Sequence, residues 1–277
     1  CKFSSDGFIC FRVSPNTDIT SVNIISFHLI FIISFVGFGN IDINAAAKKG
    51  IVVTNTPEVL TEATADISIL LLLGASRRAY EGRKFAEEQS WSWKTDFLLG
   101  KQMSNRKLGI LGMGRIGREV AKRARGFGME IHYHNRTKLA AHLEEGALYH
   151  DNVKSLFSNS EFLSINCPAT KETTNLVNEQ SINYLPDGAV VTNAARGDII
   201  DDSAMIKAMK SGKVFALGLD VYNGEPKINP EYLKLNNLFL LPHIGSATFR
   251  TRIDMGDRAI DNLENFFNNK KPKDQVN

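Results

Sequence analysis

Three polar side chains in the second half of the chain have the types and the order needed for acid–base and anion-binding chemistry: Arg196 in "NAARGDIID", Glu225 in "DVYNGEP" and His243 in "LPHIGSAT". Each lies at the end of an apolar, β-rich run, which is where open α/β sheets hold their ligands. Reduction of a carbonyl needs a proton donor for the developing alkoxide, a group that holds and polarises the substrate, and a hydride source. Histidine is the usual acid near neutral pH. A carboxylate touching its imidazole favours the protonated ring, and the planar fork of an arginine suits a carboxylate or a keto oxygen. Singly these residues are ordinary, since a histidine after proline is more often structural and "GEP" turns are common in loops. Their joint order behind a nucleotide-binding motif gives them weight.

That motif is Gly112-Met113-Gly114-Arg115-Ile116-Gly117, a GxGxxG that follows the apolar run "KLGIL" and opens an amphipathic helical pattern. In this context the first glycine allows the tight turn, the second lets a pyrophosphate approach the backbone, and the third lets helix and strand pack closely. The helix N-terminus supplies unpaired N–H groups for phosphate. In an NAD site an Asp or Glu about 20 residues further on accepts from the ribose 2′-OH. Here the second run ends in "YHNRT". Asn135 offers no carboxylate, and Arg136 would attract a 2′-phosphate through charge-assisted hydrogen bonds. The expectation is therefore NADP(H) in preference to NAD(H), with Asn135, Arg136 and Thr137 around the 2′-phosphate.

The elements that must position these groups are legible from about Leu108 onward. The β-rich runs "KLGIL", "MEIHYH", "EFLSIN", "AVVTNAA", "VFALGLDV" and "NLFLLPH" alternate with helical patterns, the signature of a Rossmann-type, doubly wound parallel sheet. Ile116, Val120, Ala124 and Phe127 fall on one face of the first crossover helix, and Gly126 and Gly128 stop it. Upstream, "IDINAAAKKGIVVTN" reads as a helix and a strand, and one long helix is expected from Leu60 to Glu88. Its stretch "ADISILLLLGASRR" is apolar all round, which suits burial between domains or subunits. A last helix is expected from Thr248 to Phe267, against the N-terminal portion, with "NNKKPKDQVN" frayed.

Composition narrows the class. A chain of 277 residues, 43% hydrophobic, can bury one or two cores. A net charge of +3 with scattered basic residues points away from nucleic acid and anionic membrane surfaces. The three cysteines, Cys1, Cys10 and Cys167, have no metal-like spacing, so no metal is expected and a reducing, cytoplasmic setting is. The apolar run from Ile24 to Phe38 is too short and too interrupted by Ser26, His28 and Ser34 to span a bilayer, so a buried strand pair is expected there. No initiator methionine precedes Cys1, so the N-terminus is expected to be incomplete.

The sequence resembles the D-2-hydroxyacid dehydrogenases, specifically their glyoxylate/hydroxypyruvate reductase branch. The resemblance rests on "GIVVTNTPEVLTEATAD", "LGILGMGRIGREVAKRARGFGM", "SINCPATKETTNLVN", "AVVTNAARGDIIDD", "ALGLDVYNGEP" and "LPHIGSAT", and runs from about Ile41 to the C-terminus. It implies substrate binding by Arg196 and acid–base roles for Glu225 and His243, nicotinamide contacts from Asp220, pyrophosphate contacts from Arg115 and Ile116, and a cofactor lining that includes Cys167, Pro168 and Ala195. By itself Cys167 reads as a buried apolar residue. The resemblance also implies a flavodoxin-like substrate domain from residues 1–78 and 252–277 around an NADP-binding domain of residues 79–251, an active site in the cleft between them, reduction of a small 2-keto acid such as glyoxylate or hydroxypyruvate, and a homodimer built through the cofactor domain and the helices around Trp91 and Trp93.

One stretch departs from the family pattern. The family holds the substrate carboxylate on a loop of the form Asn-Phe-Gly-Val-Gly, which would place Val36 and Gly37 at the substrate. This chain reads Ser34-Phe35-Val36-Gly37-Phe38-Gly39-Asn40-Ile41-Asp42, one glycine short, and the segment before it is also shorter. Loss of a residue would move a nest of backbone N–H groups by more than catalysis tolerates. Two rival readings follow: an inactive copy that binds NADPH without holding substrate, and a dinucleotide-sensing regulatory protein on the same scaffold.

Overall fold

The computed structural model describes residues 10–12, 30–33, 37 and 41–277. The chain divides into two units, Glu62–Gly245 and the combination of Cys1–Thr61 with Ser246–Asn277. The sequence expectation draws these boundaries at 78/79 and 251/252; the difference at the first is the helix Thr61–Ser76, whose Ala65, Leu72 and Ala75 belong to the core of the larger unit. Val36 lies outside the described residues. Gly37 is partly buried.

In the smaller unit, β1 (Cys10–Arg12), β2 (Ile30–Ile32) and, after the helix α1 (Ile43–Lys48), β3 (Val52–Thr54) form a parallel sheet in the order β1-β2-β3. Asp42 caps α1, its side chain accepting from the Ala45 N–H at 2.8 Å. Phe31, Ile33, Ile41, Ala46, Ile51 and Val53 make its core.

The larger unit opens with α2 (Thr61–Ser76) and α3 (Ala79–Glu87). The single long helix expected here is broken at Arg78, which takes a left-handed conformation (φ 54°) and pairs its guanidinium with Glu81 at 2.6 Å and 2.9 Å. There follow β4 (Lys107–Leu111), α4 (Arg115–Arg125), β5 (Glu130–His134), α5 (Ala141–Glu144), β6 (Leu148–Tyr149), α6 (Val153–Ser158), β7 (Phe162–Ile165), α7 (Glu179–Asn183), β8 (Ala189–Asn193), α8 (Asp202–Ser211), β9 (Val214–Leu219) and β10 (Leu238–Leu240). The seven strands are parallel, in the order β10-β9-β8-β7-β4-β5-β6. This is the doubly wound arrangement, and its order reverses between β4 and β7. All six expected strands are present; the two-residue β6 is additional.

Strand alternation splits the core between the two faces of the sheet. Phe162, Val190 and Ala216 face α2 and α4, while Leu163, Val191 and Leu217 face α6, α7 and α8. Helix α2 comes close enough to the sheet that a side chain at Gly218 would stand 3.0 Å from the Leu71 carbonyl oxygen.

The chain returns to the smaller unit with α9 (Phe249–Phe267), capped by Thr248, whose hydroxyl accepts from the Thr251 N–H at 3.1 Å. The polar tail beyond it is not frayed, contrary to its composition. Val276 donates its N–H to the Val53 oxygen at 2.9 Å, and the buried Asp274 receives a two-pronged bond from Arg258 at 2.6 Å and 2.8 Å. No helix among the described residues is long and apolar enough to cross a membrane.

Candidate active site

The turn from β4 to α4 is built from three glycines with three different constraints. Gly112 has φ +97°, and a Cβ there would lie 2.4 Å from the Cys167 nitrogen, so only glycine fits. A Cβ on Gly117 would meet the Gly112 oxygen at 2.3 Å, which sets the close approach of helix to strand. At Gly114, the N-cap of α4, nothing lies within 4 Å of the position a Cβ would take. A tight turn, a close packing point and an open approach at a helix N-terminus, all at the crossing between β4 and β7, fit the pyrophosphate of a dinucleotide. Arg115 is exposed there and Ile116 partly buried.

The end of β5 braces this turn. The Asn135 side chain accepts the Met113 N–H at 2.6 Å and donates to the Met113 oxygen at 3.4 Å. Its amide is thus engaged with the glycine-rich loop, which composition could not reveal. Arg136 and Thr137 are exposed beside it. The carboxyl of Glu172 lies below its usual range, chiefly because the Thr170 hydroxyl donates to it and partly because of the charge on Arg136. Across the crossing point, Cys167 is buried, and burial pushes its thiol up to about 11, so it stays neutral. Pro168 is exposed, and its carbonyl accepts from the Thr173 hydroxyl at 2.7 Å.

The three candidate catalytic residues follow β8, β9 and β10. His243 Nδ1 lies 2.6 Å from Glu225 Oε2, and the other oxygen of Glu225 accepts the Tyr222 N–H at 2.8 Å. Burial acts to raise the pKa of Glu225, but the bonds from His243 and Tyr222, together with the charges of His243 and Arg196, hold it below the usual carboxylate range. The carboxylate therefore stays ionised and fixes the imidazole with Nδ1 toward it. Nε2 has no protein partner among the described residues.

Arg196 is partly buried and donates to the Ala195 oxygen at 2.6 Å, while the Ala195 N–H goes to Asn193 at 2.9 Å. What carries Arg196 toward Glu225 is the next residue. A Cβ on Gly197 would stand 1.9 Å from the Tyr222 carbonyl carbon, so the loop after β8 lies directly against the loop after β9.

Asp220 has a role that sequence reasoning missed. It is 1% exposed, and its two carboxylate oxygens accept the N–H groups of Ile244 at 2.8 Å and Gly245 at 2.7 Å. Burial raises its pKa, against the pull of those two bonds. It clamps the two residues that follow His243, itself held at φ 55°. An acidic residue ending an apolar strand was the available signal. Among the described residues no cluster of three or more metal-ligating side chains occurs.

Residues 69–245 match the family model for "D-isomer specific 2-hydroxyacid dehydrogenase, NAD binding domain". The chain is 44% identical to the glycerate dehydrogenase of Hyphomicrobium methylovorum over 235 residues, 84% of this chain and 73% of that one. It is 44% identical to the glyoxylate reductase of Thermococcus litoralis over 248 residues, 87% of this chain and 75% of that one. Among solved structures, the NADPH-dependent glyoxylate/hydroxypyruvate reductase of Sinorhizobium meliloti, in complex with NADP and malonate, superposes with a TM-score of 0.84 at 34% identity, covering 90% of this chain and 77% of that one.

Proposed function

Because the chain belongs to the D-isomer specific 2-hydroxyacid dehydrogenase family, whose members are nicotinamide-dependent oxidoreductases, we propose that it reduces a small 2-keto acid with NADPH, converting glyoxylate to glycolate and hydroxypyruvate to D-glycerate. The observation that carries this reading is the His243–Glu225 pair at 2.6 Å, with Arg196 close enough for its charge to act on the same carboxylate.

The cofactor, when bound, supplies the hydride. Glu225 accepts the Nδ1 proton of His243 and orients the ring, so that Nε2 delivers the proton to the keto oxygen as it becomes an alkoxide. Arg196 receives the substrate carboxylate on its guanidinium. Asp220 fixes the backbone after His243, which keeps the imidazole in register with Glu225. NADPH is favoured over NADH because the end of β5 carries no carboxylate to repel a 2′-phosphate and presents the exposed Arg136 to attract it. NADH serves as the weaker cofactor. The exposed Trp91 (50%) and Trp93 (93%), whose rings meet edge to face at 6.2 Å, support a homodimer that covers them.

The test is oxidation of NADPH, and in parallel NADH, by glyoxylate and hydroxypyruvate, with His243→Ala as control. The reading requires faster turnover with NADPH and a fall of about a hundredfold or more in the variant. Tight NADPH binding without turnover would overturn it in favour of an inactive copy, and turnover that survives in the variant would remove His243 as the proton donor.

A further inference from the structure

The residues that would meet a 2′-phosphate sit on a short loop whose two ends are both fastened. At its start, Asn135 is bonded through its side chain to both backbone groups of Met113, and its carbonyl accepts from the Tyr149 hydroxyl at 3.4 Å. At its end, the Leu139 N–H donates to the Tyr133 hydroxyl oxygen at 3.0 Å, and the Leu139 side chain packs on the core. Arg136, Thr137 and Lys138 lie exposed between these anchors.

Tyr133 is wholly buried on β5, in the core beneath the loop, and its hydroxyl donates onward to Glu144 Oε1 at 2.6 Å. Glu144 also draws Lys138, at 3.8 Å. The phenol is pushed up to about 12, mainly by burial and then by Glu144, so it remains a donor throughout the working range.

We propose that Tyr133 is a positioning residue for recognition of the cofactor's 2′-phosphate: its hydroxyl, joined to the Leu139 N–H and to Glu144, holds Arg136 in register with the glycine-rich turn. The inference rests on the NADPH reading above. Binding Arg136 to a phosphate requires ordering both its backbone and a long side chain, and a loop fixed at both ends removes the backbone share of that cost. The bland reading of Tyr133 is a core aromatic whose hydroxyl is merely satisfied. The two differ in consequence, because a structural defect weakens both cofactors alike, whereas a displaced Arg136 weakens only the one that carries the extra phosphate.

The experiment is an equilibrium titration of wild type and Tyr133→Phe with NADPH and NADH, and with adenosine 2′,5′-bisphosphate and adenosine 5′-monophosphate as probes of that half of the site. Phenylalanine keeps the ring and its packing and changes no charge. The expected result is a Kd for NADPH and for the bisphosphate raised about five- to tenfold, the worth of one well-placed hydrogen bond, with NADH and the monophosphate nearly unchanged. A wild type that prefers NADPH but whose preference is intact in the variant overturns this inference alone. A wild type with no preference overturns the NADPH reading and this inference with it. If Tyr133→Phe does not fold, amide exchange at Leu139 in the wild type still tests the anchor: the rate of an open loop amide overturns the inference, because the Leu139–Tyr133 bond it needs would be absent.

Discussion

His132 Nδ1 and His150 Nε2 face each other at 2.8 Å, so only one proton fits between them. The outer nitrogens are also committed: His132 Nε2 to Glu130 at 2.9 Å and His150 Nδ1 to Ser155 at 2.6 Å. The chain closes with both rings neutral, His150 Nε2–H donating to His132, His132 Nε2–H to Glu130, and the Ser155 hydroxyl to His150. Burial pushes both pKa values down; Glu130 opposes this at His132, and at His150 the neighbouring His132 adds to it, with Asp151 opposing and His134 and Lys107 adding. A histidine lowered in the fold takes up protons more readily when unfolded, so stability is complete above about pH 6.5 and declines as pH falls below it. We expect the Tm to drop between pH 7 and pH 5, and the drop to be shallower in His150→Gln. An equal slope in the variant would assign the acid sensitivity to other groups.

Glu225 stays ionised to lower pH than an exposed carboxylate. Its pKa is held below the usual range, so the Glu225–His243 pair is intact above that range and is lost as pH falls through the lowered value. Turnover should therefore persist on the acid side until below the ordinary carboxylate region. Glu225→Gln should lower kcat by about tenfold or more and change the acid limb of the profile; a variant with unaltered kcat would show that His243 needs no carboxylate partner.

Gly197→Ala should be far more harmful than its size suggests. The added methyl would stand 1.9 Å from the Tyr222 carbonyl carbon and 2.2 Å from the Asn223 nitrogen, both of them backbone, so no side chain can yield. We expect a loss of about 2 kcal/mol of stability and, in whatever folds, a larger loss of kcat/KM than of NADPH binding. Proportionate losses in both would mean that the contact supports the fold without setting Arg196.

Asp274→Ala should unfasten the C-terminal segment. Asp274 is 8% exposed, pairs with Arg258 and accepts from Asn262 at 3.0 Å, so its removal leaves a half-buried cation without its closest partner. The expected cost is about 3 kcal/mol, read as a fall in the urea midpoint; a change below about 0.5 kcal/mol would reduce the contact to a surface pair.

The tail shows where the sequence stops being informative. "KKPKDQVN" is polar and reads as solvated, because Arg258 and Asn262, the side chains that receive Asp274, stand far up the chain on α9. The break at Arg78 is hidden for a different reason, since no glycine or proline marks it and a local ion pair with Glu81 holds the left-handed backbone. By contrast, the inner strands β4, β7, β8 and β9 were legible because both faces are buried, which makes each a largely apolar run. The glycine-rich turn was legible because sterics leave no other residue at Gly112. At the candidate site the sequence offered the residue types and their order, but not their hydrogen-bond partners. That Asn135 grips Met113 and that Asp220 grips Ile244 and Gly245 depends on neighbouring strands ending side by side, β4 with β5 and β9 with β10.

The reversal of strand order between β4 and β7 separates two kinds of inheritance. On one side, β4 to β6 carry the glycines and the tethered loop; on the other, β8 to β10 carry Arg196, Glu225 and His243. Residues 136–138 are an exposed segment with fixed ends, across the reversal from the strands that carry Arg196, Glu225 and His243. On the proposed reading, substitutions in that segment would change which nucleotide is preferred and leave the proton donor where it stands.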